Sequence, residues 1–118
     1  MMHKLINSKE LQDSALFQAL LAEDFELFNQ LRDKGDTTSF ANAALRGFDL
    51  RDANLKGLDF SGAYLRNTDL RGVDLRETQL EGASIREAKL SGTFFPTALT
   101  ASEITLSHVH GTRLRYAQ

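Results

Sequence analysis

Cysteine and tryptophan are absent from the 118 residues, and proline occurs once, at Pro96. Without a thiol there are no disulfide bonds and no thiol catalysis, and the reading is of a cytoplasmic protein. No apolar run approaches the length of a membrane span, and the first ten residues, MMHKLINSKE, hold no apolar core of the signal-peptide kind. Charge of one sign is lacking as well. Residues 1–39 carry 4 Lys/Arg against 7 Asp/Glu, and residues 40–118 carry 10 against 9, which leaves −2 overall. A nucleic-acid-binding stripe needs a strong basic excess and an imitation of DNA a strong acidic one; neither half, at −3 and +1, is charged enough for either. The length suits a single domain.

Residues 1–37 read as a helical cap. NSKE at Asn7–Glu10 matches a capping box, with Asn7 or Ser8 at the cap and Glu10 reaching back. Leu16, Phe17, Leu20 and Leu21 follow at helical spacing. Phe25, Leu27, Phe28 and Leu31 form a second set, and Gly35 marks a stop. One kinked helix or two short ones are predicted over about residues 8–34. Phe17, Phe25 and Phe28 are expected to pack on their own domain and not on a partner.

From residue 38 the period changes. Phe40, Leu45, Leu50, Leu55, Phe60, Leu65, Leu70, Leu75, Leu80, Ile85, Leu90 and Phe95 are spaced by five without a break. Neither a helix (period 3.6) nor a strand (period 2) produces this. Two residues before each centre the side chain is mostly small, as at Ala43, Ala53, Ala63, Ala83 and Ala88, with Phe48 and Leu58 the oversized exceptions. Two residues after it stand turn formers such as Gly47, Gly57, Gly62, Asn67, Gly72, Gly82 and Gly92. A chain that turns a corner every five residues satisfies this pattern. Four corners close a coil of 20 residues, and successive coils stack at roughly 4.8 Å. Centre and small residue then fill a narrow interior without voids.

Units such as ANLKG, AYLRN, VDLRE and ASIRE resemble the A(D/N)LXX pattern of the pentapeptide-repeat family, over residues 38–97. The resemblance implies an all-β solenoid with a helical cap: a right-handed quadrilateral β-helix of about four coils, spanning residues 38–118. It implies an activity only weakly.

After Phe95 the frame slips. Leu99, Ile104, Val109 and Leu114 are again five apart, so an irregularity is expected at residues 94–97 and one further coil after it. Phe94 serves equally well as the first centre of this second frame, and a loose tail is the alternative. Both ends of such a stack expose apolar core and unpaired backbone groups. The N-terminal helices are expected to lie over the first coil, near Phe48 and Leu58. No similar helix follows Leu114, so Leu106, Val109, Leu114 and Tyr116 are expected on an open last coil. There they offer a homodimer interface; a monomer with Tyr116 folded over its own end is the alternative.

Catalysis finds little support. His3, His108 and His110 are the acid–base candidates, and HVHG sets the last two at alternate positions, where they could share a face. Two ligands without a carboxylate cluster make only a weak metal site, and no phosphate loop or nucleophile motif is present. No enzyme, metal or cofactor is expected. The outer face holds more. A period of 20 stacks Arg46, Arg66 and Arg86 in one ladder, and Arg51 with Arg71 in the next. Asp49 and Asp69 sit two residues before Arg51 and Arg71. Such a ladder is either solvated mixed charge or a docking strip for an acidic or phosphate-bearing partner, which Arg forks suit.

The first functional reading is therefore a non-catalytic module presenting rigid faces to a protein partner of unknown identity. The resemblance supplies an alternative: some members imitate B-form DNA, bind gyrase or topoisomerase, and confer resistance to quinolones or toxins. Such imitation needs a long acidic rod, whereas residues 38–118 are short and near-neutral, and the unbroken spacing leaves no room for a projecting loop. A third reading, polyanion or nucleic-acid binding by the Arg ladder, lacks a basic excess and interleaved aromatics.

Overall fold

A computed structural model describes residues 7–118, and in it helices stand at both ends of the repeats. Three precede them: α1 (Lys9–Gln12), α2 (Ala15–Leu21) and α3 (Phe25–Asp33); α4 (Ala101–His110) comes after. Ser8, Ser14 and Asp24 each accept a backbone N–H of the turn they start, from Leu11, Phe17 and Leu27. Ser14 begins a new helix just after α1 ends, and Glu23 takes a left-handed φ of 54° between α2 and α3. The expected one or two helices are thus three.

The quintets form turns. The carbonyl of each centre from Phe40 to Leu90 accepts the N–H three residues on, as Leu45 does from Phe48 (3.2 Å) and Phe60 from Ala63 (3.0 Å). The third turn residue has positive φ at most corners, the geometry of type II turns. At Gly62 a side chain is excluded twice over. Its φ is +67°, and a Cβ there would stand 2.2 Å from Asn42 Oδ1.

Coils pair at an offset of 20 through parallel bridges such as Ala44 to Tyr64, Tyr64 to Ser84 and Asp49 to Asp69. Leu45 N–H donates to Tyr64 O (3.0 Å) and Tyr64 N–H to Ala43 O (2.8 Å). Each turn takes so much of its quintet that about one residue per side is left to pair. Among the described residues the pairing is by isolated bridges, and no strand forms. The coils thus stack at the expected offset of 20 but without strands: among the described residues regular secondary structure is helical, and the repeats are turns joined by single bridges.

The centres Phe40 to Ile85 are buried, as are Ala43, Ala63 and Ala83. Thr68 and Thr78 occupy the small inward position fully buried, and their hydroxyls donate to Leu65 O (2.7 Å) and Leu55 O (2.9 Å). No buried hydroxyl is therefore left without a partner there. Phe17 of α2 lies over the first coil, its ring 6.5 Å from Phe40 and 6.2 Å from Phe48; Phe40 stacks on Phe60 at 5.0 Å.

The far end departs from expectation. Residues 38–97 make three coils, and the predicted fourth is replaced by α4 and a returning segment. Thr100 caps α4 by accepting the N–H of Glu103 (3.2 Å), and Gly111 ends it with a φ of 74°. Leu106 stands where the second frame needs a turn residue, and a branched side chain does not suit the positive φ of that position. After Gly111 the chain runs back against the last coil. Leu114 N–H donates to Ala83 O (2.7 Å), Gly82 N–H to Leu114 O (2.8 Å), and Leu80 N–H to the Tyr116 hydroxyl (2.9 Å). No open coil remains for the expected dimer face. Leu114 is fully buried in its own chain and Tyr116 is half-buried across its own end, while Leu106 and Val109 stay exposed on α4.

Candidate functional site

The five arginines singled out by the period of 20 fall into two unlike groups. Arg51 forks onto Asp49 (Nε–Oδ1 3.1 Å, NH2–Oδ2 2.9 Å) and also meets Asp69 at 3.3 Å. Arg71 forks onto Asp69 (2.9 and 2.6 Å). Arg76, on the next side, repeats the motif with Asp74 and lies 5.1 Å over the Phe94 ring. Each is an Asp-x-Arg unit closed across a turn. The guanidinium beside Asp69 and that beside Asp74 hold those carboxyls down at about 2, chiefly by direct hydrogen bonding. These cations are already satisfied by their own chain.

Arg46, Arg66 and Arg86 are not. The bridges linking Ala44, Tyr64 and Ser84 fix them two residues on in successive coils, and the bonds Gly47 N–H to Arg66 O (2.9 Å) and Asn67 N–H to Arg86 O (3.0 Å) continue the register. Gly47, Asn67 and Glu87 come directly after them, so a carboxylate enters this ladder only at the third rung. Glu87 reaches Arg66 at 3.9 Å and Arg86 at 3.8 Å, too far for hydrogen bonds. Arg86 Nε is buried and has no hydrogen-bond acceptor. Arg46 has no carboxylate partner among the described residues.

The three line a groove of about 320 Å³ together with Tyr64, Ser84, His110 and Gly111. Its far wall is the C-terminal end of α4. Gly111 has a φ of +74°, which favours glycine, and a Cβ there would stand 3.0 Å from Arg86 Cδ, so the arginine stem runs directly beneath the helix end. Arg113, in the returning segment, lies 4.8 Å over the Tyr64 ring, bonds the Tyr64 hydroxyl and donates to Gly82 O (2.7 Å). Three guanidinium groups and one imidazole thus line the groove, with Arg113 beside its Tyr64 and the exposed Glu87 at 3.9 and 3.8 Å from Arg66 and Arg86.

The histidine readings change with α4. Residues two apart on a helix do not face each other, so His108 and His110 share no face. His108 Nε2 is 3.0 Å from Ala88 O, whereas His110 turns to the groove. His3 lies outside the described residues. Among those described, no group of three or more metal-ligating side chains comes together, and no helix is long and apolar enough to cross a membrane.

Tyr64, Ser84, Glu87 and Arg113 were not singled out by sequence. The first three were within reach, since the period that stacks Arg46, Arg66 and Arg86 also stacks residues two before and one after. Arg113 and His110 arrive through the helix and return, which have no repeat signature.

Searches of curated proteins and of solved structures returned no match. The family comparison did: the model for pentapeptide repeats matches eight copies over residues 38–72 and 64–98, just over half of the chain. With its quintet turns, its 20-residue offset and this match, the chain belongs to the pentapeptide-repeat family.

Proposed function

We propose that the protein is a non-catalytic interaction module, a small right-handed quadrilateral β-helix that presents rigid faces to a protein partner. The face it presents is the Arg46–Arg66–Arg86 groove. The observation that carries this reading is the contrast between the two ladders: Arg51 and Arg71 are forked onto their own Asp49 and Asp69, while Arg66 and Arg86 share one loosely placed Glu87 and Arg46 has no carboxylate partner among the described residues. Stacked cations that share a single carboxylate raise the energy of the isolated chain slightly and become useful when an acidic segment covers them. The near-neutral charge of the repeats argues against a DNA-imitating role.

The test is affinity capture from the source cell, comparing wild type with Arg46, Arg66 and Arg86 all changed to Glu. Loss of one partner, whose purified form binds wild type in a salt-sensitive way, supports the reading. An identical partner set for both proteins removes it.

A further inference from the structure

The groove's chemistry is more specific than positive charge. We propose that it holds a phosphate monoester, carried on a phosphorylated side chain of the protein partner. This rests on the docking face described above and adds the group that is recognised.

Anions differ in what they can accept. A carboxylate has one charge and two coplanar oxygens, and one guanidinium fork satisfies it; Arg51 on Asp49 shows this in the same molecule. A phosphate monoester carries about −1.5 to −2 at neutral pH and three acceptor oxygens. Two or three forks can share it, provided they approach from neighbouring directions. Rungs about 5 Å apart along one face supply that arrangement. Arg46, Arg66 and Arg86 line one groove in consecutive coils, with Arg113 beside Tyr64.

Two further details point the same way. The buried Arg86 Nε is a donor without an acceptor, and such a group ordinarily finds one. Glu87, which fills part of the need at 3.8 and 3.9 Å, does so from a strained backbone: its φ is 59°. A phosphate oxygen in the groove would take over what Glu87 does poorly. The volume of about 320 Å³ admits a phosphorylated side chain and its neighbours. A nucleic-acid strand offers one charge and two free oxygens per phosphodiester and is held by a longer basic track than three rungs.

The experiment is an amide-resolved NMR titration with the pentapeptide Gly-Gly-phosphoserine-Gly-Gly, run beside its Asp counterpart, inorganic phosphate and a short oligothymidylate. The phosphopeptide should shift the amides of Tyr64, Ser84, Glu87 and Gly111 saturably, with about tenfold higher affinity than the Asp peptide. Arg66→Gln should weaken it about tenfold, and Glu87→Gln should strengthen it, a gain that misfolding cannot imitate. Arg51→Gln should bind as wild type does.

Equal affinity for the Asp and phosphoserine peptides overturns the phosphate assignment while leaving an acidic docking face intact. Equal affinity for inorganic phosphate overturns its assignment to a partner's side chain. Tighter oligothymidylate binding, or a phosphopeptide response unchanged in Arg66→Gln, overturns it too. Failure of the docking face itself is read separately, from an unchanged partner set in the triple Glu variant.

Discussion

The two ends of the coil stack face one physical problem and meet it with different chemistry. Each leaves apolar side chains uncovered and a row of N–H and C=O groups unpaired. At the N-terminal end both needs are met by side chains. Phe17 covers Phe40 and Phe48, and two asparagine amides stand in for a missing coil. Asn7 accepts from Ala44 N–H (2.6 Å) and donates to Ala44 O (3.1 Å). Asn29 donates to Asp52 O (2.9 Å) and accepts from Asn54 N–H (2.8 Å), as a neighbouring peptide would. At the C-terminal end real backbone does most of this. Leu114 pairs with Gly82 and Ala83 through its own peptide groups, His108 O accepts from Glu87 N–H (3.0 Å), and the Ser107 hydroxyl takes Ile85 N–H (3.0 Å). A helix laid across the end therefore serves as well as a coil, provided each edge donor meets an acceptor.

The apolar halves of the two closures are not equal, and this gives the largest expected effects. Phe17→Ala removes a nearly buried ring that packs against two others and should destabilise the fold by about 3–5 kcal/mol. Leu114→Ala deletes a smaller buried side chain and should cost about 2–4 kcal/mol. Urea unfolding of both variants checks the order. A Leu114→Ala loss as large as that of Phe17→Ala would mean that the C-terminal closure holds the stack as firmly as the aromatic one.

The polar halves differ by exposure. Ser107 is fully buried, so Ser107→Ala strands Ile85 N–H and should cost about 1–3 kcal/mol. The Asn29 contacts are open to water, which can replace the lost amide, so Asn29→Ala should cost about 1 kcal/mol or less. Amide exchange at Ile85 and Asn54 separates the two, with much the greater loss of protection expected at Ile85.

The contrast between the ends also explains what the sequence disclosed. The N-terminal helices and their lid were legible because their apolar spacing is helical and capping residues precede them. The repeat was legible because twelve centres recur in register. The C-terminal helix was hidden by coincidence: Leu99, Ile104, Val109 and Leu114 keep a spacing of five that imitates the repeat, and only Leu99 and Leu114 are buried. The competing signal was Thr100 with Glu103, a capping pair, and then Gly111 at a helix stop. It outweighs the spacing because Leu106 does not suit the turn that a further coil requires. At the candidate site the arginine ladder was legible as a column, and so were the Asp residues before Arg51 and Arg71; that these forks divide the ladders into two unlike groups was not read. That division is set by the residue two places before each arginine. An Asp there closes Asp49–Arg51, Asp69–Arg71 and Asp74–Arg76 within one turn, whereas Ala44, Tyr64 and Ser84 leave their arginines open.

The smallest expected effect concerns acid. Glu103, at the start of α4, accepts from Arg115 N–H (3.1 Å) and from its Nε and NH2 (both 3.2 Å), tying the helix to the returning segment. The Arg115 guanidinium, more than the backbone bond, holds the Glu103 carboxyl below the usual carboxylate range. A carboxyl whose folded value is depressed contributes fully above its unfolded value of about 4.3 and loses that contribution as pH falls through the folded one. Because Arg115 is three-quarters exposed, water and salt screen the pair, and the effect stays small. The matching tie at the other end, Asn7 to Ala44, is an amide and does not titrate. Lowering the pH from about 5 toward about 3 should therefore reduce the exchange protection of the Arg115 amide relative to that of Ala44, and Glu103→Gln should abolish the difference. Equal losses at the two amides in wild type would show that the stack opens as one unit in acid, with its ends no longer distinguishable.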